Sequence, residues 1–225
     1  MYNMRKRLLF VAVLVLLAGF VVGNITPVNA ATSYFAGYNY YTSSVTGVLA
    51  RLPYGNPNVP VSGGFSTEWA LAWGANSYIQ AGWIKNYGNS APQYFVEYWN
   101  GCGQFCRYTY GTIDSNTHEY KVQQSGSNWC GYIDGYQKAP CVPTSQLGFT
   151  TASNEQYFGE TTNTSIQLGG TGTSHFRMTR LSFQLSSVWT QVNTNNLSIY
   201  VSPGTSYHAN AGFTSPDTWE DNWTQ

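Results

Sequence analysis

From residue 31 onward the chain has no sustained i, i+3, i+4, i+7 apolar stripe, and short runs of β-branched and aromatic residues recur between clusters of Gly, Asn, Ser and Pro. Eight runs read as strands: Phe65 to Trp73, Ser77 to Lys85, Gln93 to Trp99, Glu119 to Gln124, Trp129 to Ile133, Glu155 to Glu160, Phe176 to Leu185 and Leu197 to Val201. Turns separate them at Trp73-Gly74-Ala75-Asn76, Tyr87-Gly88-Asn89, Asp134-Gly135 and Gly169-Gly170. Short strands joined by tight turns predict an all-β fold, a two-sheet antiparallel β-sandwich or jelly roll of concanavalin-like type. Aromatics at 16% and charged residues at only 9% fit that class, and eight Trp with eleven Phe are too much apolar surface to leave in water.

The first thirty residues have a different character. A basic start at Arg5, Lys6 and Arg7 precedes an apolar run from Leu8 to Val22, and Val28-Asn29-Ala30 fits the small-x-small rule for signal cleavage. The apolar run is fifteen residues long, short of the ~20 that span a bilayer. Residues 1–30 are therefore expected to be a signal peptide and 31–225 a single secreted domain with no stable membrane insertion after cleavage. All ten acids but only seven of the ten bases fall after Ala30, a balance of 7 − 10 = −3. With its bases scattered rather than clustered, the domain is not expected to bind nucleic acid.

Cys102, Cys106, Cys130 and Cys141 all lie beyond the leader, as suits an exported chain. Of the three pairings that four cysteines allow, the local one, Cys102 with Cys106 and Cys130 with Cys141, is favoured, and crossed patterns stay open. C-x3-C also occurs in zinc sites, but His118, His175 and His208 stand at no ligand spacing. Neither a metal nor a cofactor is expected.

The chain lacks G-x-S-x-G, H-E-x-x-H and a P-loop. Candidate chemistry instead falls on acids and amides in strands. In Tyr94-Phe95-Val96-Glu97-Tyr98-Trp99, alternation puts Phe95, Glu97 and Trp99 on one face. A carboxyl among aromatics is a candidate proton donor, because desolvation raises its pKa. Two further segments carry an amide and an acid, Ser77 to Trp83 with Gln80 and Tyr157 to Thr161 with Glu160.

The run Trp69 to Trp83, ending in Y-I-Q-A-G-W, resembles the region of glutamic peptidases, of both the eqolisin and neprosin types, where a strand bearing Q-x-G supplies an active-site residue. Y-F-V-E-Y-W at Tyr94 to Trp99 looks like the aromatic strand that follows. G-C-G-Q-F-C at Gly101 to Cys106 resembles the C-x3-C of neprosin-like domains, and F-G-E at Phe158 to Glu160 resembles the late strand bearing the catalytic glutamate. The pieces fall in the family's order across about Trp69 to Phe176. The resemblance implies a secreted acid endopeptidase with Gln80 and Glu160 as a catalytic dyad and a protein or peptide substrate. Trp69, Trp83, Glu97 and Tyr98 are then the candidate substrate-binding residues. Gln80 at the Q-x-G position is closer to the eqolisin arrangement than to a pair of glutamates, unless Glu97 or Glu68 enters the site. The alternative is a non-catalytic jelly-roll module that binds polysaccharide or cell wall through its Tyr and Trp side chains.

Overall fold

The computed structural model describes residues 33–100 and 105–225. The expected signal peptide at 1–30 and Cys102, with its proposed bond to Cys106, lie outside the described residues. Cys130 and Cys141 are joined by a disulfide, and Cys106 forms none with any described residue.

The first half of the domain supplies β1 (Tyr34–Tyr40), β2 (Gly47–Leu52), β3 (Phe65–Gly74), β4 (Ser77–Asn86), β5 (Gln93–Trp99), β6 (Phe105–Thr112), β7 (His118–Ser125) and β8 (Asn128–Ile133). Two short pieces follow, β9 (Tyr136–Gln137) and β10 (Val142–Pro143), and then a single helical turn, α1 (Thr144–Leu147). The second half supplies β11 (Asn154–Thr161), β12 (Phe176–Leu185), β13 (Val188–Gln191), β14 (Leu197–Val201), β15 (Tyr207–Thr214) and β16 (Asp217–Thr224). All pair antiparallel in two sheets. Sheet A runs β14-β1-β11-β3-β4-β5-β6; sheet B runs β10-β8-β7-β2-β12-β16-β15, with β9 on β8 and β13 on β12.

Each of the eight expected strands is present to within a residue at either end. The turn after Trp73 has left-handed backbone at Ala75 (φ 47°) and Asn76 (φ 62°), and that after Ile133 has it at Asp134 (φ 50°) and Gly135 (φ 79°). Two consecutive left-handed residues match the right-handed twist of the flanking strands, so both turns close tight hairpins. The remaining strands were not expected, and β1 and β2 among them lie inside their sheets.

The main core lies between the sheets. Ala70, Ala72, Ile79, Ala81, Trp83, Val96 and Tyr157 from sheet A pack against Val48, Ala50, Leu52, Tyr120, Val122, Trp129 and Met178 from sheet B. Trp83 and Trp129 are fully buried in it. A second cluster, Trp69, Leu71, Ile84, Phe95 and Phe158, forms on the opposite, outward face of sheet A. That outer face is unusual in being both apolar and decorated with titratable groups.

Candidate active site

The period-2 alternation of strands and the register of sheet A decide what this outer face carries. Leu71 pairs with Gln80, Gln80 with Glu97 and Glu97 with Arg107, so these four make one transverse row. A second row runs Tyr200, Gly37, Phe158, Trp69, Gly82, Phe95, Thr109. Glu160 stands opposite Thr67, and Thr67 opposite Ile84. Gln80 and Glu160 therefore share the outer face, two strands apart and offset by four residues, with the Trp69 row between them.

Glycine is required twice in that middle row. A Cβ on Gly82 would lie 1.9 Å from the carbonyl oxygen of Glu68, and one on Gly37 would lie 2.2 Å from that of Tyr157. Neighbouring strands approach too closely at both points for any side chain. The glycine of Q-x-G is thus explained by packing: it lets β4 press against β3 beside Gln80.

Glu97 is the hub of the Gln80 row. It is buried, and its Oε1 accepts hydrogen bonds from Tyr78 Oη at 2.6 Å and from Gln80 Nε2 at 2.9 Å. Its Oε2 pairs with Arg107 Nε. The Arg107 guanidinium is itself held over the rings of Phe65, Phe105 and Phe95, at 5.1, 5.3 and 5.8 Å from their centroids. A buried carboxylate paired with a cation and given two further donors is a satisfied arrangement. It fixes the Gln80 amide while using only one of its two N–H donors. Burial first, and then the Glu97 charge, push the Tyr78 phenol up, so it remains a donor.

Glu160 has a different environment. It is half-buried, its Oε2 accepts from Trp69 Nε1 at 3.1 Å, and no cation among the described residues bonds it directly. Desolvation raises its pKa to about 7, against the lowering effect of a hydrogen bond from Ser33. The nearby Glu97 charge raises it further, while Arg107 and the Trp69 bond lower it. The two acids of one face are thereby separated in role: Glu97 is locked in an ion pair, whereas Glu160 can exchange a proton near neutrality. On the same face, a cleft of about 210 Å³ is lined by Phe35, Asn39, Trp69, Gln156, Phe158 and Tyr200, with Phe35 opposite Glu160 in the β1–β11 register.

Of the residues expected from sequence, Gln80, Glu160, Trp69 and Glu97 all lie on this face, as two contacting pairs: Gln80 with Glu97, and Trp69 with Glu160. Trp83 and Tyr98 do not. Trp83 is completely buried against Phe176, and Tyr98 is buried with its hydroxyl toward Tyr108. Both belong to the core, which corrects their assignment to a substrate surface: each is an odd number of residues from the outward Gln80 or Glu97, and alternation turns it inward. Glu68 is likewise enclosed between the sheets, bonded by Gly169 N and Asn222 Nδ2 at 2.8 and 2.7 Å. Sequence reasoning missed Tyr78 and Arg107. Tyr78 was within reach, being two residues before Gln80 on the same face. Arg107 was not, since only the β5–β6 register brings it to Glu97. Among the described residues no cluster of His, Cys, Asp and Glu is arranged to hold a metal ion.

No protein-family profile and no curated protein sequence matches the chain. Solved structures do match it by fold. Scytalido-glutamic peptidase with a transition state analog inhibitor superposes with a TM-score of 0.60 at 12% identity, over 86% of this chain and 98% of that one. The same peptidase with a peptide-based transition state analog gives 0.58 at 12% identity, over 84% and 97%. SCP-B, a member of the eqolisin family of peptidases in complex with the tripeptide Ala-Ile-His, gives 0.57 at 11% identity, over 86% and 98%. The resemblance found in short sequence motifs thus extends to the architecture, and the chain has a glutamic peptidase-like fold.

Proposed function

We propose that this protein is a secreted glutamic endopeptidase, in which Glu160 and Gln80 act on a water molecule and a peptide bond. The observation that carries the proposal is the pairing, on one face, of a half-buried acid with a pKa near 7 and an amide fixed by a buried ion pair. Glu160 takes a proton from water as the oxygen attacks the scissile carbonyl, and later returns it to the leaving amine. The free N–H of Gln80 donates to the oxyanion, and Glu97, Tyr78 and Arg107 keep that amide oriented. The cleft on the same face, walled by Phe35, Trp69, Phe158 and Tyr200, suits an apolar or aromatic substrate side chain. The glutamic peptidase-like fold supports peptide rather than another substrate. Export is supported by the leader sequence and agrees with the Cys130–Cys141 disulfide.

The test is cleavage of casein by the purified secreted protein between about pH 3 and 7.5. Glu160→Gln should lower kcat/KM by about 10²–10⁴-fold, the usual range for a general base. Gln80→Ala should lower it by about 10²–10³-fold, as for an oxyanion donor. Wild-type protein that never cleaves, or a Glu160→Gln variant that cleaves as well as wild type, would sink the assignment.

A further inference from the structure

The opposite outer face, that of sheet B, carries the larger depression of the two. It measures about 380 Å³, and its walls include Glu119, Lys121, Arg180, Trp189, Gln191 and Asp217. The volume lies within the ~300–1,000 Å³ range of small-molecule sites. Local features show that it is built rather than incidental. A β-bulge interrupts the β2–β12 register between Thr179 and Ser182, and Arg180 within it takes a left-handed backbone conformation, φ 55°. Such a conformation is uncommon for a residue other than glycine. The extra residue turns the Arg180 side chain outward to Glu119, where Nη1 donates to Oε2 at 3.1 Å.

Trp189 forms the wall opposite. It pairs with Gln184 across β12, and its six-membered ring lies over Gly47, where a Cβ would come within 2.8 Å of the ring. The indole is therefore seated on backbone, leaving it half-exposed as a flat apolar surface. The Lys121 ammonium stands between two rings, 4.6 Å from the Tyr132 centroid and 6.0 Å from that of Trp189. Neither Lys121 nor Asp217 has an ion-pair partner among the described residues.

Two cations and two carboxylates leave this groove with no net charge, so it does not select a ligand by charge. It offers donors at Lys121 and Gln191, acceptors at Asp217 and Gln191, and an indole face. A ligand that matches all three has hydroxyls that both donate and accept, set around an apolar ring face. We infer that the outer face of sheet B binds a neutral polysaccharide, one sugar ring stacking on Trp189 with its hydroxyls on Lys121, Gln191 and Asp217. Together with the proposed catalytic face of sheet A, a polysaccharide-binding face on sheet B would hold the protein on a polysaccharide matrix while the catalytic face stays free.

The test uses the full secreted protein and a fixed set of probes: hexamers of β-1,4-linked glucose, of β-1,4-linked N-acetylglucosamine and of α-1,4-linked glucose, with polygalacturonate and free leucine as anionic and zwitterionic controls. Titration calorimetry should show saturable binding of at least one neutral hexamer. Trp189→Ala and, separately, Lys121→Ala should each weaken it at least tenfold, while casein cleavage by both variants stays unchanged. Glu160→Gln should bind as wild type, which separates this site from the proposed catalytic one. Binding by no neutral hexamer, preference for polygalacturonate or leucine, or undiminished affinity in both folded variants would overturn the inference.

Discussion

Glu97 and Glu160 show how two chemically identical side chains on one sheet face acquire different environments. Each is flanked by aromatics, but Glu97 is paired directly with Arg107, whereas Glu160 has the hydrogen bonds of Trp69 and Ser33 and no direct ion pair among the described residues. Because the Glu97 charge raises Glu160, removing that charge should make Glu160 a stronger acid. In Glu97→Gln the ascending limb of kcat/KM against pH is therefore expected to move toward lower pH. The Arg107 charge, which already lowers Glu160, is then no longer opposed by that of Glu97. The maximal rate should fall by about tenfold, ~1.4 kcal/mol of transition-state free energy, as Gln80 exchanges a charged acceptor for a neutral one. A pH profile that stays in place while activity drops would show Glu97 to be merely structural.

At the scale of the strand, the sequence patterns that proved legible were those with strong alternation and clear punctuation. β3, β4 and β5 carry Trp, Ile, Val and Phe at alternate positions between glycine or asparagine turns, and their limits were readable almost to the residue. β1, with Gly37 and Asn39, and β16, with Glu220, Asp221 and Asn222 in succession, are composed against strand propensity. Tertiary burial overrides propensity there: Asn222 donates to Glu68 across the sandwich, and Asp221 takes both Nε and Nη2 of Arg177. The same limit applies to the site. Gln80 and Glu160 were singled out as candidates from local motifs, but which side chains surround them depends on register, a long-range property that no single segment encodes. Gly82 is the point where motif and register meet. Gly82→Ala should destabilise the fold by about 1–3 kcal/mol, as overpacking does, or roughly 2–12 °C in Tm for a domain of this size. Gly111→Ala, with open space around the added methyl, is the control and should melt as wild type.

Over the whole molecule, the placement of acids sets a pH window. Five of the ten acidic residues are buried: Glu68, Glu97, Glu155, Glu220 and Asp221. Glu97 and Asp221 have arginine partners, whereas Glu68, Glu155 and Glu220 have none among the described residues. Desolvation pushes Glu68 and Glu155 up to about 8 and Glu220 well above its ordinary value. Neither Glu155 side-chain oxygen, nor Oε2 of Glu220, has a side-chain hydrogen-bond partner among the described residues. Such groups bind protons more tightly in the folded than in the unfolded chain. Their contribution to stability is therefore full below about pH 4.5, the unfolded value, and is lost as pH rises through about 8. The loss is on the order of several kcal/mol, comparable with the ~5–15 kcal/mol that holds a typical domain. Urea midpoints measured from pH 4 to 8.5 should decrease steadily, and Glu155→Gln should flatten that slope; midpoints that rise with pH would refute the account. The proposed catalysis would run the other way, because Glu160 must be ionised to take a proton, and with its pKa raised to about 7 only about a tenth of it is ionised at pH 6. Activity rising toward neutrality on a fold that weakens over the same range gives a bell whose acid limb belongs to Glu160 and whose alkaline limb belongs to the buried carboxyls. Glu155→Gln should then extend activity to higher pH without moving the acid limb, measurable as the initial rate of casein cleavage after a fixed incubation at each pH.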